Sequence, residues 1–579
     1  MVIANRLLLI GNWILVKGYR VIGFGLLLVS LCSWAKNDTV FVSGNIQHDG
    51  LFPTTDASSM RSNPRESWAK IDHLSNTYVD LSVHYLNDSN RVGFKSLRAS
   101  TRGELTKWSL PGYERDFGGY GMSHLSVAAA FDWGEITVGD VYGQFGSGFV
   151  LSLYEDRALG VDGALRGAKI DLTPYKGIRL TALGGKQRRY WQCYTDKAFG
   201  WNYGRDAALG ANIELSIEEW SEQMRELDMG LTIGGSYVSK YEAFDTVMVA
   251  RGTNMYMYNL PRWIGAGDVR AEWRMKGWRV LAEYAYKAND PTIENNFSYR
   301  HGDAFLMSLS YSRKGMAVLA QIKRSDNMSF RSERLRTGLA GRLNHMPAFA
   351  QQHTYALAAL YPYATQYTNG EWAFQGELRY TWARKTKMGG HYGTTLKLSA
   401  SHIRGLAGEG SWNIQTGKDG EYYTDVNVEM NKRISKRWWL NAMLMYQTYN
   451  QTVVEGHGGL VRSGIVVADA RFQVNSNISM RGELQYMYSP HYQGQWLFAL
   501  YELSLYNCVT ISGQYMYNIG FAPEATNEHF YTALVTYTHG AHRVMAGYTK
   551  TREGFNCSGG VCRYVPKQEG VSMSYSFNW

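Results

Sequence analysis

Cysteine and proline are scarce in this chain of 579 residues, with 5 and 11 respectively, and nothing after residue 35 is apolar for long enough to be a membrane helix. Five cysteines cannot knit together a scaffold of this length, which excludes the disulfide-framework class. So few prolines beside 61 glycines fit strands joined by turns better than helices. Low-complexity tracts and internal repeats are also missing, and with them the solenoids and propellers. The net charge of +10 comes from Lys and Arg spread along the chain, without a basic arm or an RNA-binding signature. This argues against nucleic acid as a partner and suits a basic lumen or contact with anionic lipopolysaccharide.

Aromatics are abundant: they make up 14% of the chain, with 41 Tyr and 18 Trp, while the mean hydropathy is slightly polar at −0.33. A membrane β-barrel produces this combination, because lumen residues dilute lipid-facing ones and Tyr and Trp gather at the interfaces. The last nine residues point the same way. Val571, Met573, Tyr575, Phe577 and Trp579 alternate with Ser or Asn, which is a strand with one apolar and one polar face. This segment, with Tyr575, Phe577 and Trp579 as its aromatic positions, resembles the C-terminal signal read by the barrel assembly machinery of bacterial outer membranes.

Residues 1–35 read as an export signal. Lys17 and Arg20 precede an apolar run over 21–31, and Ser33 and Ala35 supply the small residues before a cleavage site. Cys32 follows Leu31 where a lipoprotein needs a small residue, so lipidation is not expected. Residues 36–579 then form one barrel. No globular plug domain precedes the first strands, and convincing ones begin by 77–85.

Segments of about ten residues with period-two alternation recur along the chain, the length of a tilted membrane strand. Trp372, Phe374, Leu378, Tyr380 and Trp382 share a face with Gly376, while Gln375, Glu377, Arg379 and Thr381 share the other. Trp278, Val280, Ala282, Tyr284 and Tyr286 oppose Arg279, Glu283 and Lys287 in the same way, and Val426, Val428 and Met430 oppose Asp425, Asn427 and Glu429. Short connections at 87–91, 132–134, 174–177, 275–277, 312–315, 387–390, 475–477 and 539–540 alternate with long ones such as 101–122, 143–162, 239–263, 405–421 and 451–463. Short turns belong in the periplasm and long loops outside. Carrying this parity back from the last strand to a first strand near 40–47 requires a strand near 335–343 and a small helical turn at 217–227 on the short-turn side. The expectation is an all-β transmembrane antiparallel barrel of about 26 strands, within a range of about 22 to 26.

The most unusual internal stretch is 139–167, Gly-rich and then charged, with Glu155, Asp156, Arg157, Asp162 and Arg166. No strand-to-helix unit follows, so this is not a phosphate cradle. Glycine permits close backbone approach, and the stretch is expected either to fold inwards as a lumen constriction or to remain an exposed loop with satisfied ion pairs. Arg324, Arg331, Arg334 and Arg336, among Asp326 and Glu333, are candidates for binding acidic sugars or lipopolysaccharide phosphates, or else a solvated loop. Cys557 and Cys562, with four residues between them including two glycines, are expected to form a disulfide, since an exported protein meets oxidising conditions and no nearby His completes a metal site. Cys193 and Cys508 lie apart from each other. His457, beside Glu455, lacks a second His at ligand spacing, and no metal or cofactor is expected. No serine sits in a nucleophile elbow, so no enzyme activity is expected.

The Gly-rich stretch, together with Leu183-Gly-Gly-Lys-Gln-Arg-Arg-Tyr-Trp191, Lys323-Arg-Ser-Asp-Asn-Met-Ser-Phe-Arg331, His353-Thr-Tyr-Ala-Leu-Ala-Ala-Leu-Tyr-Pro362, Val453-Val-Glu-Gly-His-Gly-Gly459 and the Cys557–Cys562 loop, resembles an uncharacterised family of outer-membrane barrels from Bacteroidota. The likeness spans nearly the whole mature chain. It implies the fold and a Gram-negative outer-membrane location, with no activity to carry over. The functional expectation is a porin-like channel passing a polar solute, a saccharide or an anionic compound, through a lumen narrowed by 143–162. The alternative is a non-transporting barrel serving as a scaffold in a surface or secretion assembly.

Overall fold

The computed structural model describes residues 39–54, 73–87, 93–106, 108–114, 117–188, 206–243, 246–251, 253–415 and 420–579. The expected export signal, Cys32, Cys193 and most of the turn at 87–91 lie outside them. Period-two alternation becomes one sheet. Twenty-four strands among the described residues pair antiparallel, each with its neighbours in sequence. The first, Thr39–Pro53, pairs with Leu74–Leu86 on one side and with the last, Gln568–Asn578, on the other, which closes the sheet into a barrel with no free edge.

The alternation decides what each face meets. On Trp263–Met275 and Trp278–Lys287, Val269, Tyr284 and Tyr286 point outwards and are 64%, 40% and 47% exposed, while Asp268 and Glu283 on the opposite parity are buried. Leu444, Val466, Leu484, Val535, Val571 and Met573 continue this outer belt around the wall. Exposing a large apolar side chain to water forfeits roughly 1.5–3 kcal/mol, so a belt of them all round the wall requires lipid. No helix among the described residues is long and apolar enough to cross a membrane, so strands do the crossing. The faces expected for 372–382, 278–287 and 425–430 are those observed.

Connections alternate between two rims. One rim carries tight turns such as 132–133, 176–177, 276–277, 314–315 and 540–541, with 217–228 and 383–393 as longer exceptions; the other carries the longest connections, among them 142–164 and 327–370. The expected helical turn appears as Ile217–Glu219 and Glu222–Glu226, on the turn rim. The strand expected near 335–343 is absent, and the barrel has 24 strands, within the expected range of 22 to 26. Residues 327–370 form one connection between Met316–Asp326 and Glu371–Trp382. Its apolar side chains face a protein core instead of lipid: Phe330, Leu343, Met346, Leu357 and Leu360 are all buried within one cluster that reaches the inner wall.

Candidate functional site: an occupied lumen mouth

Two connections on the loop rim fold inwards and meet. The first, 142–164, forms two small ladders, Gly143–Phe145 with Leu151–Leu153 and Glu155–Asp156 with Val161–Asp162. Its apolar centre, Phe145, Phe149, Val150 and Leu151, is essentially inaccessible. The Phe145 ring lies so close to the wall at Gly210 that a Cβ there would come within 2.8 Å of it. At the tip, Gly146 and Gly148 take positive φ, and the Ser147 backbone N–H donates to Glu283 on the wall at 2.9 Å.

The other end of this segment grips a distant part of the wall. Arg157 donates to Asp80 at 2.7 Å, to Gln47 at 3.2 Å and to Glu155 at 2.9 Å. Arg102 closes the set, donating to both oxygens of Glu155 at 2.7 and 2.8 Å and to Asp80 at 2.6 Å. Two cations and two carboxylates thus alternate, and the guanidinium of Arg157 also lies 4.5 Å from the Tyr78 ring centroid. Asp162 belongs to a second set, accepting from Arg188 at 2.5 Å and from Tyr142 at 2.9 Å, with Arg188 also donating to Glu104 at 2.8 Å. Burial alone would push the Asp162 carboxyl up; Arg188 holds it below the usual carboxylate range. Arg166 pairs with Asp140, and Asp156 caps the turn by accepting from the Leu159 N–H at 3.0 Å. The side chains of the five charged residues singled out in the sequence are therefore distributed among separate contacts: Arg157 meets Glu155, while Asp162, opposite Glu155 on the small ladder, turns to Arg188.

The second segment, 327–370, fills the rest of the mouth. Asn344 donates to the carbonyls of Phe149 at 3.0 Å and Met328 at 2.7 Å, the Ser152 N–H donates to Leu343 O at 2.7 Å, and the His345 N–H donates to Gly148 O at 2.9 Å, so the two inward segments are stitched together. Across the barrel, His353 pairs with Asp425, Asn427 donates to Gln351 at 3.0 Å, the Leu357 N–H donates to Gln485 at 2.8 Å, and Gln447 donates to Tyr361 O at 3.1 Å. Lys323 meets Glu371 at 2.6 Å with both side chains fully buried. Burial, with Lys323 and Arg342 nearby, pushes the His345 imidazole down to about 4.

The four arginines proposed for anions already have carboxylates. Arg331 donates to Glu294 at 2.5 Å and to Ala340 O at 2.6 Å. Arg334 donates to Glu242 at 2.5 Å, and Glu242 also meets Lys240 at 2.6 Å. Arg336 meets Glu333 at 3.3 Å. Arg324 sits on the outward parity of its strand, bonded to Asp303 at 2.5 Å and covered by Trp412, whose ring lies 4.5 Å away. Burial favours a neutral Glu294, but Arg331 and Arg342 keep its carboxyl below the usual range.

A hairpin, Gly554–Ser558 with Val561–Val565, covers the assembly from the loop side and carries the expected disulfide, Cys557–Cys562, with Cα atoms 4.0 Å apart. The Thr365 N–H donates to Gly560 O at 3.1 Å and Gln352 donates to Cys557 O at 3.2 Å. Gly560 has φ +88°, and a Cβ there would come within 2.7 Å of the Ala348 methyl. His457 stands 3.2 Å from Glu455, and no group of three metal-ligating side chains occurs among the described residues.

Two cavities flank the filling. One, of about 450 Å³, lies towards the turn rim between Arg279, Ser308, Gln321 and Gln375 of the wall and Pro347 and Phe349 of the inward segment. The other, of about 190 Å³, lies against the disulfide hairpin and is bounded by Gln351, His353, Tyr423, Asn556, Ala348 and Ala350. Residues 347–350 therefore line both, Pro347 and Phe349 on one and Ala348 and Ala350 on the other. Sequence reasoning missed Asp80, Arg102, Arg188 and Glu283 as partners. Period-two parity puts Asp80, Arg102 and Glu283 on the inner face; which loop residue each one meets is not encoded locally.

These features define a class, a closed transmembrane antiparallel β-barrel whose loop-side mouth is occupied by its own chain. Within that class, the chain belongs to the family described as a family of unknown function, DUF6029, which matches residues 19–579. A search of curated proteins finds no match. Among solved structures, the chain is similar to the siderophore receptor PirA from Pseudomonas aeruginosa, with 10% identity, 94% of this chain and 81% of that chain covered, and a TM-score of 0.41. It is similar too to the P pilus usher (PapC) translocation pore, at 9% identity over 93% of this chain and 99% of that one, TM-score 0.38. The copper transporter OprC aligns at 11% identity over 93% of this chain and 80% of that one, TM-score 0.39.

Proposed function

We propose that this protein is a gated, porin-like channel of a Gram-negative outer membrane, passing a polar solute such as a saccharide or an anionic compound. The observation that carries this reading is the pair of cavities sharing residues 347–350 as their partition. A lumen built only to be filled gains nothing from water-lined space on both sides of a thin septum. The turn-side cavity is walled by Arg279, Ser308, Gln321 and Gln375, which suits a hydrated solute. Residues 142–164 brace the septum from the opposite wall, and Glu155, Asp156, Arg157, Asp162 and Arg166 hold that brace in place. Passage requires the septum to swing aside.

Planar-bilayer recording of the purified barrel tests this. Wild type is expected to conduct weakly, and deletion of 146–158 combined with Phe349→Gly to raise conductance several-fold. Silence in both proteins overturns the reading. The second reading, a non-transporting scaffold in a surface or secretion assembly, draws on the completeness of the packing around Phe145, Phe149 and Met346. It is favoured if cellular crosslinking recovers a stoichiometric partner while both barrels remain silent.

A further inference from the structure

The turn rim is electrically lopsided. The turn after Trp263–Met275 carries Lys276, and the one after Gly302–Arg313 carries Lys314 beside Arg313. Residues 383–393 add Arg384, Lys385 and Lys387, and 434–437 add Lys436 and Arg437. These four turns join eight consecutive strands, so they stand side by side on one arc of the rim, and none contains a carboxylate. The preceding turn, 217–228, is the opposite, with Glu218, Glu219, Glu222, Glu226 and Asp228.

Elsewhere on this rim cations meet carboxylates: Lys95 meets Asp132 at 3.2 Å and Lys176 meets Glu219 at 3.0 Å. Along the arc, Lys314, Arg384, Lys385, Lys387, Lys436 and Arg437 form no ion pair among the described residues. Adjacent like charges repel and together attract anionic groups from outside the chain. Its position identifies it. Immediately above the arc the outward wall ends in Trp278, its ring tilted 4.5 Å from Tyr311, Trp382, 5.2 Å from Tyr380, and Trp438, 4.6 Å from Phe472, an aromatic girdle at the level of lipid headgroups. Met388 and Ile434, on the turns themselves, are 59% and 55% exposed between the cations, a pairing of apolar and basic side chains that a lipid surface accommodates and bulk water does not.

We infer that this arc, from Lys276 to Arg437, is a binding surface for anionic phospholipid headgroups of the turn-side leaflet. The phosphates lie against Lys385, Lys387, Lys436 and Arg437 while Met388 and Ile434 dip into the acyl boundary. The acidic turn at 217–228 keeps the same lipids away from the adjoining arc.

Native mass spectrometry of the full barrel in detergent, titrated separately with dioleoylphosphatidylglycerol and dioleoylphosphatidylcholine, tests this. Wild type is expected to retain several molecules of the anionic lipid in preference to the zwitterionic one. The combined variant Lys385→Gln, Lys387→Gln, Lys436→Gln, Arg437→Gln is expected to lose roughly tenfold of that retention with phosphatidylcholine unchanged. Should that variant not fold to a heat-modifiable barrel, raising salt to about 0.5 M is expected to strip the anionic lipid from wild type. Equal retention of the two lipids by wild type, salt-insensitive retention, or a variant that folds and retains as much overturns the inference. So does selective binding of soluble polyglutamate without a lipid preference, which would mark the arc as a dock for an acidic protein.

Discussion

Arg279 and Lys287 stand on the same face of the same strand, eight residues apart, and live in different surroundings. The Arg279 side chain, near the turn rim, is 59% exposed in a pair with Glu272, whereas Lys287, near the loop rim, is fully buried and donates to Ser329 O at 2.6 Å. The same contrast runs round the barrel. Inward residues at the turn end meet water; those at the loop end, such as Lys323, Asp425 and Gln485, meet residues 327–370. Identical alternation therefore builds a hydrated half-lumen and a protein-filled one, and the difference is made entirely by connections that leave the wall and return.

The contrast can be broken most directly at the packed end. Phe149→Ala, deep in the filling, is expected to cost roughly 3–5 kcal/mol of barrel stability. Denaturant titration of the folded barrel measures it, and protease cleavage within 327–370 should rise in parallel. Arg331→Ala leaves the largely buried Glu294 with only the more distant Arg342, at 3.8 Å, for an expected cost of about 3 kcal/mol, while the superficially similar Arg279→Ala is expected to cost under about 1 kcal/mol because water already screens that pair. Equal costs would erase the distinction between the two halves.

Acid sharpens the comparison at His345. Its folded pKa of about 4 lies below the free value of 6.5, so the displaced segment binds more protons between those limits. The stability of the filled mouth is fully present above pH 6.5 and declines as pH falls towards 4. Protection of 327–370 from protease should fall over that window by an amount of order 3 kcal/mol, and His345→Gln should flatten the slope. Replacing Cys557 and Cys562 with Ser opens a short ring and is expected to cost about 2 kcal/mol, read as faster cleavage of the hairpin alone. Ser310→Ala, on the hydrated wall, is expected to stay within about 0.5 kcal/mol in the denaturant titration.

What was legible in the sequence follows from the same split. Period-two faces, tight turns and the closing strand could be read because they depend on neighbours two residues away, and on Glu421–Arg433 the exposed Val426 and Val428 alternate with the buried Asp425 and Asn427 as expected. The strand expected near 335–343 failed because apolar side chains such as Leu343 look alike whether they meet lipid or a core. Arg157 could be recognised as a charged loop residue, but its partner Asp80 lies 77 positions away, and only the closed barrel brings them together. Arg331 and Arg334 looked available for anions because Glu294 and Glu242, their counter-charges, sit on other connections.

The seam between the first and last strands has a temporal meaning. Asn45 lies opposite Asn578, and Trp579 rests on Gly44 so tightly that a Cβ there would come within 2.2 Å of the indole. Contacts of such sequence separation form late, because loop-closure entropy must be met before they reward the chain. The residues bordering the seam therefore act as a clasp fastened after most of the wall exists. A bulkier residue at Gly44 should slow the final fastening while the packing of 142–164 against 327–370 is kept.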